Sequence, residues 1–477
     1  MLFQRIYDPL LAQASYLVGC QATGEAAVID PNRDIEQYLA AARAERMKIT
    51  HVTETHIHAD FLSGARELAQ RAGAKLLLSG EGGADWSYGF AKEAGATLLK
   101  NGDAFAVGNI RFDVLHTPGH TPEHLCFLVT DTPATDAPLG ILSGDCVFVG
   151  DVGRPDLLEK AAGHAGTMAD SARALFRTLQ TVKRLPDHLQ IWPGHGAGSA
   201  CGKALGAVPS STLGYEKIAN WALGISDEAE FVRAVLAGQP EPPKYFATMK
   251  RLNRDGPPAV PRTAAPRIEP SRLEELLKSG AIVVDTRTAA AFAAGHLHGT
   301  ISIPLNRALP GYAGWVLPYD TDIWLLTDPA RPSAADEAAH HLRLIGLDGV
   351  AGWLPLDDSL LAGGAEKVTQ ISPAELAKRL DAGTVSVVDV RGRSEWEAGR
   401  IPGTPNIHYG ELLARLDELP AGPLVLQCQT GARSNLAASL LLGRGRTDVI
   451  NLIGGLSAWI GAGLPVEEPQ SVAGRPA

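Results

Sequence analysis

The sequence predicts a multidomain chain of mixed α/β and α+β class, on three observations. At 477 residues it exceeds what one hydrophobic core organises, and about 150 residues per domain gives roughly three domains. Over residues 1–255 short apolar runs alternate with stretches of helical periodicity. Beyond a proline-rich segment, one α/β pattern occurs twice at a constant offset of 104 residues.

The alternation in the first part runs in order. "EAAVID", "KITHVTETH", "AKLLLSG", "IRFDVLHTPGH", "LGILSGDCVFVG" and "LQIWPGH" read as strands or strand ends, and "IEQYLAAARAER" and "ADSARALFRTLQTVKRL" as amphipathic helices between them. The His and Asp clusters fall where strands end, the usual place for chemistry carried by loops on a rigid frame. "NRDGPPAVPRTAAPR" then reads as a linker, set at 256–269. In the repeat, "AIVVDTRTAAAFAAGHLHGTISIPL" from Ala281 realigns with "VSVVDVRGRSEWEAGRIPGTPNIHY" from Val385, matching Asp285 to Asp389, Arg287 to Arg391, Gly295 to Gly399 and Gly299 to Gly403. Each copy opens with a capped helix, "EPSRLEELLKSG" or "SPAELAKRLDAG", followed by a β-branched run suited to a buried parallel strand. The expected domains are therefore 1–255, 270–365 and 366–470, with a frayed tail at "EPQSVAGRPA".

Composition narrows the function classes. With 45% hydrophobic and 20% charged residues, net charge −10 and no Lys/Arg run, the chain fits a soluble globular protein and argues against a nucleic-acid partner. "MLFQRIYDPLLAQASYLVG" has no basic leader and no cleavage site, and no run of ~18 apolar residues occurs, so a cytoplasmic location without membrane contact is expected. Cys20, Cys126, Cys146, Cys201 and Cys428 are few, odd in number and scattered, which argues against a disulfide framework.

Four clusters carry metal-ligand chemistry: "TETHIHADF" with His56, His58 and Asp60; "HTPGHTPEH" with His116, His120 and His124; "SGDCVF" with Asp145; and "WPGHG" with His195. On an extended segment, residues two apart point the same way, so His56 and His58 can converge on one point. Phe61 stands where a further histidine would complete a two-metal loop.

Over residues 1–255 these motifs resemble the metallo-β-lactamase fold, an αββα sandwich, in its glyoxalase II-like branch. Hydrolases of that branch bind two zinc ions. Persulfide dioxygenases bind one iron through the first His of the loop, the second His of "HTPGH" and the following Asp, which implies His56, His120 and Asp145 here. Phe61 argues against a second zinc, although many dioxygenases keep a His at that position. Two imidazoles and one carboxylate leave about three positions open on an octahedral Fe(II), one per chain, for a substrate sulfur and O2. His58, Asp60 and His195 then orient the ligands by hydrogen bonding, while His116 and His124 are structural. The resemblance places Arg154, in "DVGRPD", near the carboxylate of a peptide-like thiol. Cys201, with Lys203 close by, is a candidate to hold or receive sulfur.

"LVLQCQTGARSNLAASLLLGRG" puts Cys428 between a buried strand and a helix, facing backbone N–H groups of Gln429, Thr430, Gly431, Ala432 and Ser434, with Arg433 adding positive charge. Cys-x-x-Gly-x-Arg, with "DVR…GRIPG" before and "LIGGLSAW" after, resembles the rhodanese domain, whose cysteine cycles through a persulfide; a Cys-x5-Arg phosphatase ranks far behind. The first copy has Asp328 and Pro329 where the cysteine is due, and resembles an inactive rhodanese domain; His296 and His298 in its "GHLHG" turn read as structural.

The whole resembles bacterial persulfide dioxygenase–rhodanese fusions with an inactive middle domain. The resemblance implies oxidation of a small thiol persulfide (glutathione, coenzyme A or similar) to sulfite and thiol, coupled to sulfur transfer that makes or uses thiosulfate in sulfide detoxification. Tethering the two activities raises the local concentration of shared intermediates. Two alternatives stay open: a dizinc glyoxalase II-type thioesterase fused to sulfurtransferase domains, and a sulfur carrier or redox sensor. Carrier thiol, direction of sulfur transfer and homo-oligomerisation are left undecided.

Overall fold

A computed structural model describes residues 1–157, 166–261 and 263–468. The expected tail, and the last residues to 470, lie outside them. The chain forms two compact units, Met1–Pro261 with Arg343–Gly346, and Arg262–Leu342 with Leu347–Ala477.

The first unit packs two six-stranded sheets face to face. One runs in chain order: β1 (Leu2–Asp8), β2 (Gln13–Cys20), β3 (Glu25–Ile29), β4 (Lys48–Thr53), β5 (Lys75–Ser79) and β6 (Thr97–Leu99). The other holds β7 (Ala104–Val107), β8 (Ile110–His116), β9 (Leu125–Asp131), β10 (Gly140–Gly144), β11 (Gln190–Pro193) and β12 (Ser211–Thr212), again adjacent in sequence order. The period-2 geometry of a strand explains the layers. On β2, Tyr16 and Val18 enter the core between the sheets with Phe112, Phe127 and Leu142, whereas Leu17 points outward beneath the helix Ile35–Ala44 and its Tyr38. The second sheet is covered by Met168–Val182 and Glu228–Leu236 through Leu175, Leu179 and Phe231. Burying each such aromatic contributes about 1.5–3 kcal/mol, so the αββα layering rests on apolar area. Loops leaving the ends of β4, β8, β10 and β11 carry the four His/Asp clusters to one rim.

One local expectation is corrected. Strand β4 ends at Thr53, and residues 54–62 form a loop without regular strand. His56 and His58 are therefore aimed by hydrogen bonds, not by strand alternation.

The second unit contains two four-stranded parallel sheets. The first orders β14 (Ile301–Ser302), β13 (Ile282–Asp285), β15 (Ile323–Thr327) and β16 (Val350–Pro355); the second orders β17 (Thr369–Ile371), β20 (Val449–Leu452), β19 (Leu424–Gln427) and β18 (Ser386–Asp389). The repeated Asp-x-Arg and glycine have one physical meaning in both copies. Arg287 pairs with Asp285 at 2.7 Å and donates to the Gly295 carbonyl at 2.8 Å; Arg391 pairs with Asp389 at 2.7 Å and donates to Gly399 at 2.6 Å. Each buried carboxylate is thus compensated by a hydrogen-bonded guanidinium, without which it would be strongly destabilising. The helix Ala432–Leu442, which follows Cys428, rests on β14: Asn435 donates to the Ser302 hydroxyl at 3.0 Å, and the Ser302 N–H donates to Ser439 at 3.0 Å.

Candidate metal centre and thiol site

His56, His120 and Asp145 are buried and offer ligand atoms that all lie within 4.8 Å of one another. Each imidazole is fixed by its other nitrogen. His56 Nδ1 meets Thr55 Oγ1 at 2.9 Å, and that hydroxyl donates to Asp30 at 3.0 Å; His120 Nδ1 donates to the Arg154 carbonyl at 3.0 Å. Such outer contacts set the tautomer and aim Nε2 at a common point. Asp145 is held by its backbone, whose N–H donates to His124 Nε2 at 3.0 Å. Gly144, with φ +49°, permits that approach, since a Cβ there would lie 2.6 Å from Thr55 Oγ1 and 2.7 Å from His124 Nε2.

The donor set fits a cation. His56 Nε2 and both Asp145 oxygens are buried without a hydrogen-bond partner, which is rare in folded proteins unless an ion or water completes them. Burial, then the neighbouring imidazoles, hold His56 well below its ordinary pKa, and burial takes His120 down to about 4, so both are neutral donors at pH 7. Burial pushes Asp145 up, but the histidines, led by His195 and His120, outweigh it and keep the carboxyl below its usual range.

A second group lies beside the first: Asp60, His195 and Cys201 also offer atoms within 4.8 Å of one another. His195 Nδ1 donates to the Ala12 carbonyl at 3.0 Å, turning Nε2 to within 3.3 Å of Asp60 and 3.5 Å of Asp145. None of these facing atoms forms a hydrogen bond across the gap: His195 Nε2 and both Asp60 oxygens are without partners. Phe61, fully buried and packed on the His58 ring at 4.3 Å, removes a histidine without leaving the neighbouring position bare, because Cys201 closes the set. Burial, then Asp60 and Asp145, hold the Cys201 thiol well above its ordinary pKa, so it is protonated unless a cation is present. His58 turns away to Asp30 at 3.2 Å, and although burial opposes it, that contact raises its pKa to about 9.

Two expected substrate contacts are also corrected. The Arg154 side chain is fully buried and bonded to Asp156 at 2.7 Å through each of two nitrogens, with further bonds to the carbonyls of Ala200 and Pro240. Its backbone carbonyl, not its charge, serves the centre. Lys203 lies over the Trp221 ring at 4.1 Å and donates to the carbonyls of Ala234 and Ala237, away from Cys201.

At the thiol site Cys428 Sγ accepts from the Gly431 N–H at 3.1 Å and from the Ser434 hydroxyl at 3.3 Å. Among the described residues no hydrogen bond to the sulfur from Thr430 or Ala432 accompanies these, and the Gln429 side chain turns to Arg391 at 3.2 Å and Ser457 at 3.0 Å. Arg433 does not present a free charge. Glu395 clamps it with two bonds of 2.6 and 2.8 Å, a geometry that neutralises both partners. In the cysteine-free copy, Asp328 after β15 accepts the Ala330 N–H at 2.9 Å as a plain turn.

Sequence reasoning missed Asp30, Glu395 and Asn253. Asn253 donates to the carbonyls of His58 and Phe61 at 2.7 and 2.8 Å and accepts the Ser63 N–H at 2.9 Å, pinning the whole loop. It lies in "NRDG", beside prolines that read as a linker.

Known proteins resemble this chain in sequence and fold. Residues 8–195 match the metallo-beta-lactamase superfamily and residues 372–462 a rhodanese-like domain. A crystal structure of a metallo-beta-lactamase from Staphylococcus aureus subsp. aureus COL is 43% identical, spans 74% of this chain and 99% of its own, and superposes with a TM-score of 0.67. A beta-lactamase hydrolase-like protein from Xylella fastidiosa (strain 9a5c) is 28% identical over 259 residues, 47% of this chain and 53% of its own. A hydroxyacylglutathione hydrolase from Polaromonas sp. (strain JS666 / ATCC BAA-500) is 35% identical over 185 residues, 38% of this chain and 61% of its own. The chain thus spans little more than half the length of those two curated relatives. The chain belongs to the metallo-beta-lactamase superfamily and carries a rhodanese-like domain toward its C-terminus.

Proposed function

We propose that the first unit is a mononuclear non-haem iron dioxygenase acting on a small-thiol persulfide, and that the rhodanese-like domain transfers sulfane sulfur through Cys428. The observation that carries this reading is the group His56, His120 and Asp145, two neutral imidazoles and one carboxylate, in which His56 Nε2 and both Asp145 oxygens are buried without hydrogen-bond partners. Three such ligands leave adjacent positions open, the arrangement of the two-histidine, one-carboxylate triad of Fe(II) oxygenases. Bound there, Fe(II) would supply the one-electron chemistry that O2 requires. The chain's own groups aim the ligands through Thr55 and the Arg154 carbonyl, and crowd the site with Phe61 and Phe148. The overall conversion balances as RSSH + O2 + H2O giving RSH, sulfite and two protons. Sulfite and a second persulfide then give thiosulfate and thiol through Cys428.

A second reading is favoured by one observation. Asp60, His195 and Cys201 form a ligand set of their own, and a two-ion centre would suit hydrolysis of a thioester, as the name of the Polaromonas relative suggests. Glutathione persulfide in an oxygen electrode discriminates. The dioxygenase reading predicts one O2 consumed per sulfite formed, lost in His56→Ala; thioester cleavage without O2 uptake would replace it with the hydrolase reading.

A further inference from the structure

His124, the third histidine of "HTPGHTPEH", is fully buried beside Asp145, and both of its ring nitrogens are engaged. Nε2 faces the Asp145 backbone N–H at 3.0 Å, and Nδ1 meets Thr117 Oγ1 at 2.8 Å. A backbone N–H can only donate, so Nε2 is the acceptor, and the proton of a neutral ring sits on Nδ1, pointing at Thr117. Burial opposes charge on His124, while Cys126, Asp145 and Glu123 favour it and raise its pKa. The Asp145 N–H decides against the imidazolium, because a proton on Nε2 would face another donor.

Having accepted from Nδ1, the Thr117 hydroxyl has one proton to give, and Cys126 Sγ at 3.2 Å and the His124 carbonyl at 3.4 Å stand in place to accept it. The Cys126 thiol donates its own proton to the Ser143 carbonyl at 3.4 Å. The hydrogen bonds thus run in one direction, from the Asp145 N–H through His124, Thr117 and Cys126 back to Ser143, two residues before Asp145. Bonds aligned in this way in a dry interior polarise one another. Thr117 and His124 also close the turn that carries His120: the Thr117 N–H donates to the His124 carbonyl at 2.8 Å, and His120 stands between them in the connection from β8 to β9. We propose that Thr117 is a positioning residue of the metal centre: its hydroxyl fixes the His124 tautomer, and through His124 it sets where Asp145 and the His120 turn present their ligand atoms. The inference rests on the reading of His56, His120 and Asp145 as iron ligands. It extends the control of that centre to a threonine and a histidine that do not touch the ion.

The test compares the full-length native chain with Thr117→Val, which keeps the branched shape and removes the hydroxyl, and Thr117→Ser, which keeps the hydroxyl. Loss of an outer partner of a metal ligand costs about 10–100-fold in metal affinity. Anaerobic competition for Fe(II) against a chelator is expected to show that weakening in Thr117→Val and near-native affinity in Thr117→Ser. Nitrogen NMR of isotope-labelled histidines in the full-length chain, after chelation, reads the tautomer. The His124 proton is expected on Nδ1 in the native chain and in Thr117→Ser, and on Nε2 in Thr117→Val, a change that general loosening of the fold does not produce. Native iron affinity in Thr117→Val would overturn the inference. So would a native His124 protonated on Nε2 or on both nitrogens, a result that decides the matter even where Thr117→Val fails to fold. A native chain that binds no iron would instead overturn the iron reading, and this inference with it.

Discussion

Glu123 accepts the Ile57 N–H at 2.7 Å through one oxygen and leaves its other oxygen buried without a partner. Burial raises its carboxyl from 4.5 to about 7. A carboxyl whose folded pKa lies above its unfolded value binds its proton more tightly in the folded chain, so it costs stability as pH rises between those two values. In the metal-free chain, Glu123→Gln mimics the protonated form and keeps the bond to Ile57. Its Tm relative to the native chain is predicted to climb from pH 4.5 to 7 and level off above, which thermal denaturation across that range checks. At this scale the sequence shows which residues bear chemistry but not where their polar atoms point. His56, His120 and Asp145 are named from the resemblance of their motifs, and the fold brings their donor atoms within 4.8 Å of one another. Arg154 is misread although its main partner, Asp156, stands two residues on in "DVGRPD", because the sequence does not show that the pair is buried; Lys203 is misread because the carbonyls it meets, of Ala234 and Ala237, lie about 30 residues away in sequence.

The loop 54–62 depends on the helix Tyr245–Asp255, through one side chain. Asn253→Ala removes all three of its bonds to His58, Phe61 and Ser63. A buried polar group left unpaired costs about 1–3 kcal/mol, so a loss of roughly 3 kcal/mol or more is predicted. The expected outcome is a lower Tm, and weaker metal retention on dialysis against a chelator, although Asn253 is not itself a ligand. Unchanged metal retention would show that the loop is rigid without this tether. Strands such as β10 and β19 are legible as β-branched or aliphatic runs between turn residues. The loop is misread as extended because His-x-His alternation looks like a strand, while the hydrogen bond that Thr55 N–H donates to Asp30 and the one that Asn253 donates to the His58 carbonyl fold it otherwise.

Across the whole chain, the repeat is the most legible feature, since Asp285–Arg287 and Asp389–Arg391 recreate one ion pair in two sheets. Its consequence is less legible: the copy that lost the cysteine still packs beside the surviving one through Ser302, Tyr312 and Trp315. The sequence names His56, His120 and Asp145 from a resemblance but does not give the number of candidate ligands, because Cys201 joins Asp60 and His195 only through the fold. That number separates the two readings of the first unit. The deciding measurement is the metal content of the full-length chain, purified anaerobically and quantified for iron and zinc. The account predicts one iron per chain, lost in His56→Ala and retained in Cys201→Ser; two zinc ions per chain, with the second lost on Cys201→Ser, would contradict it.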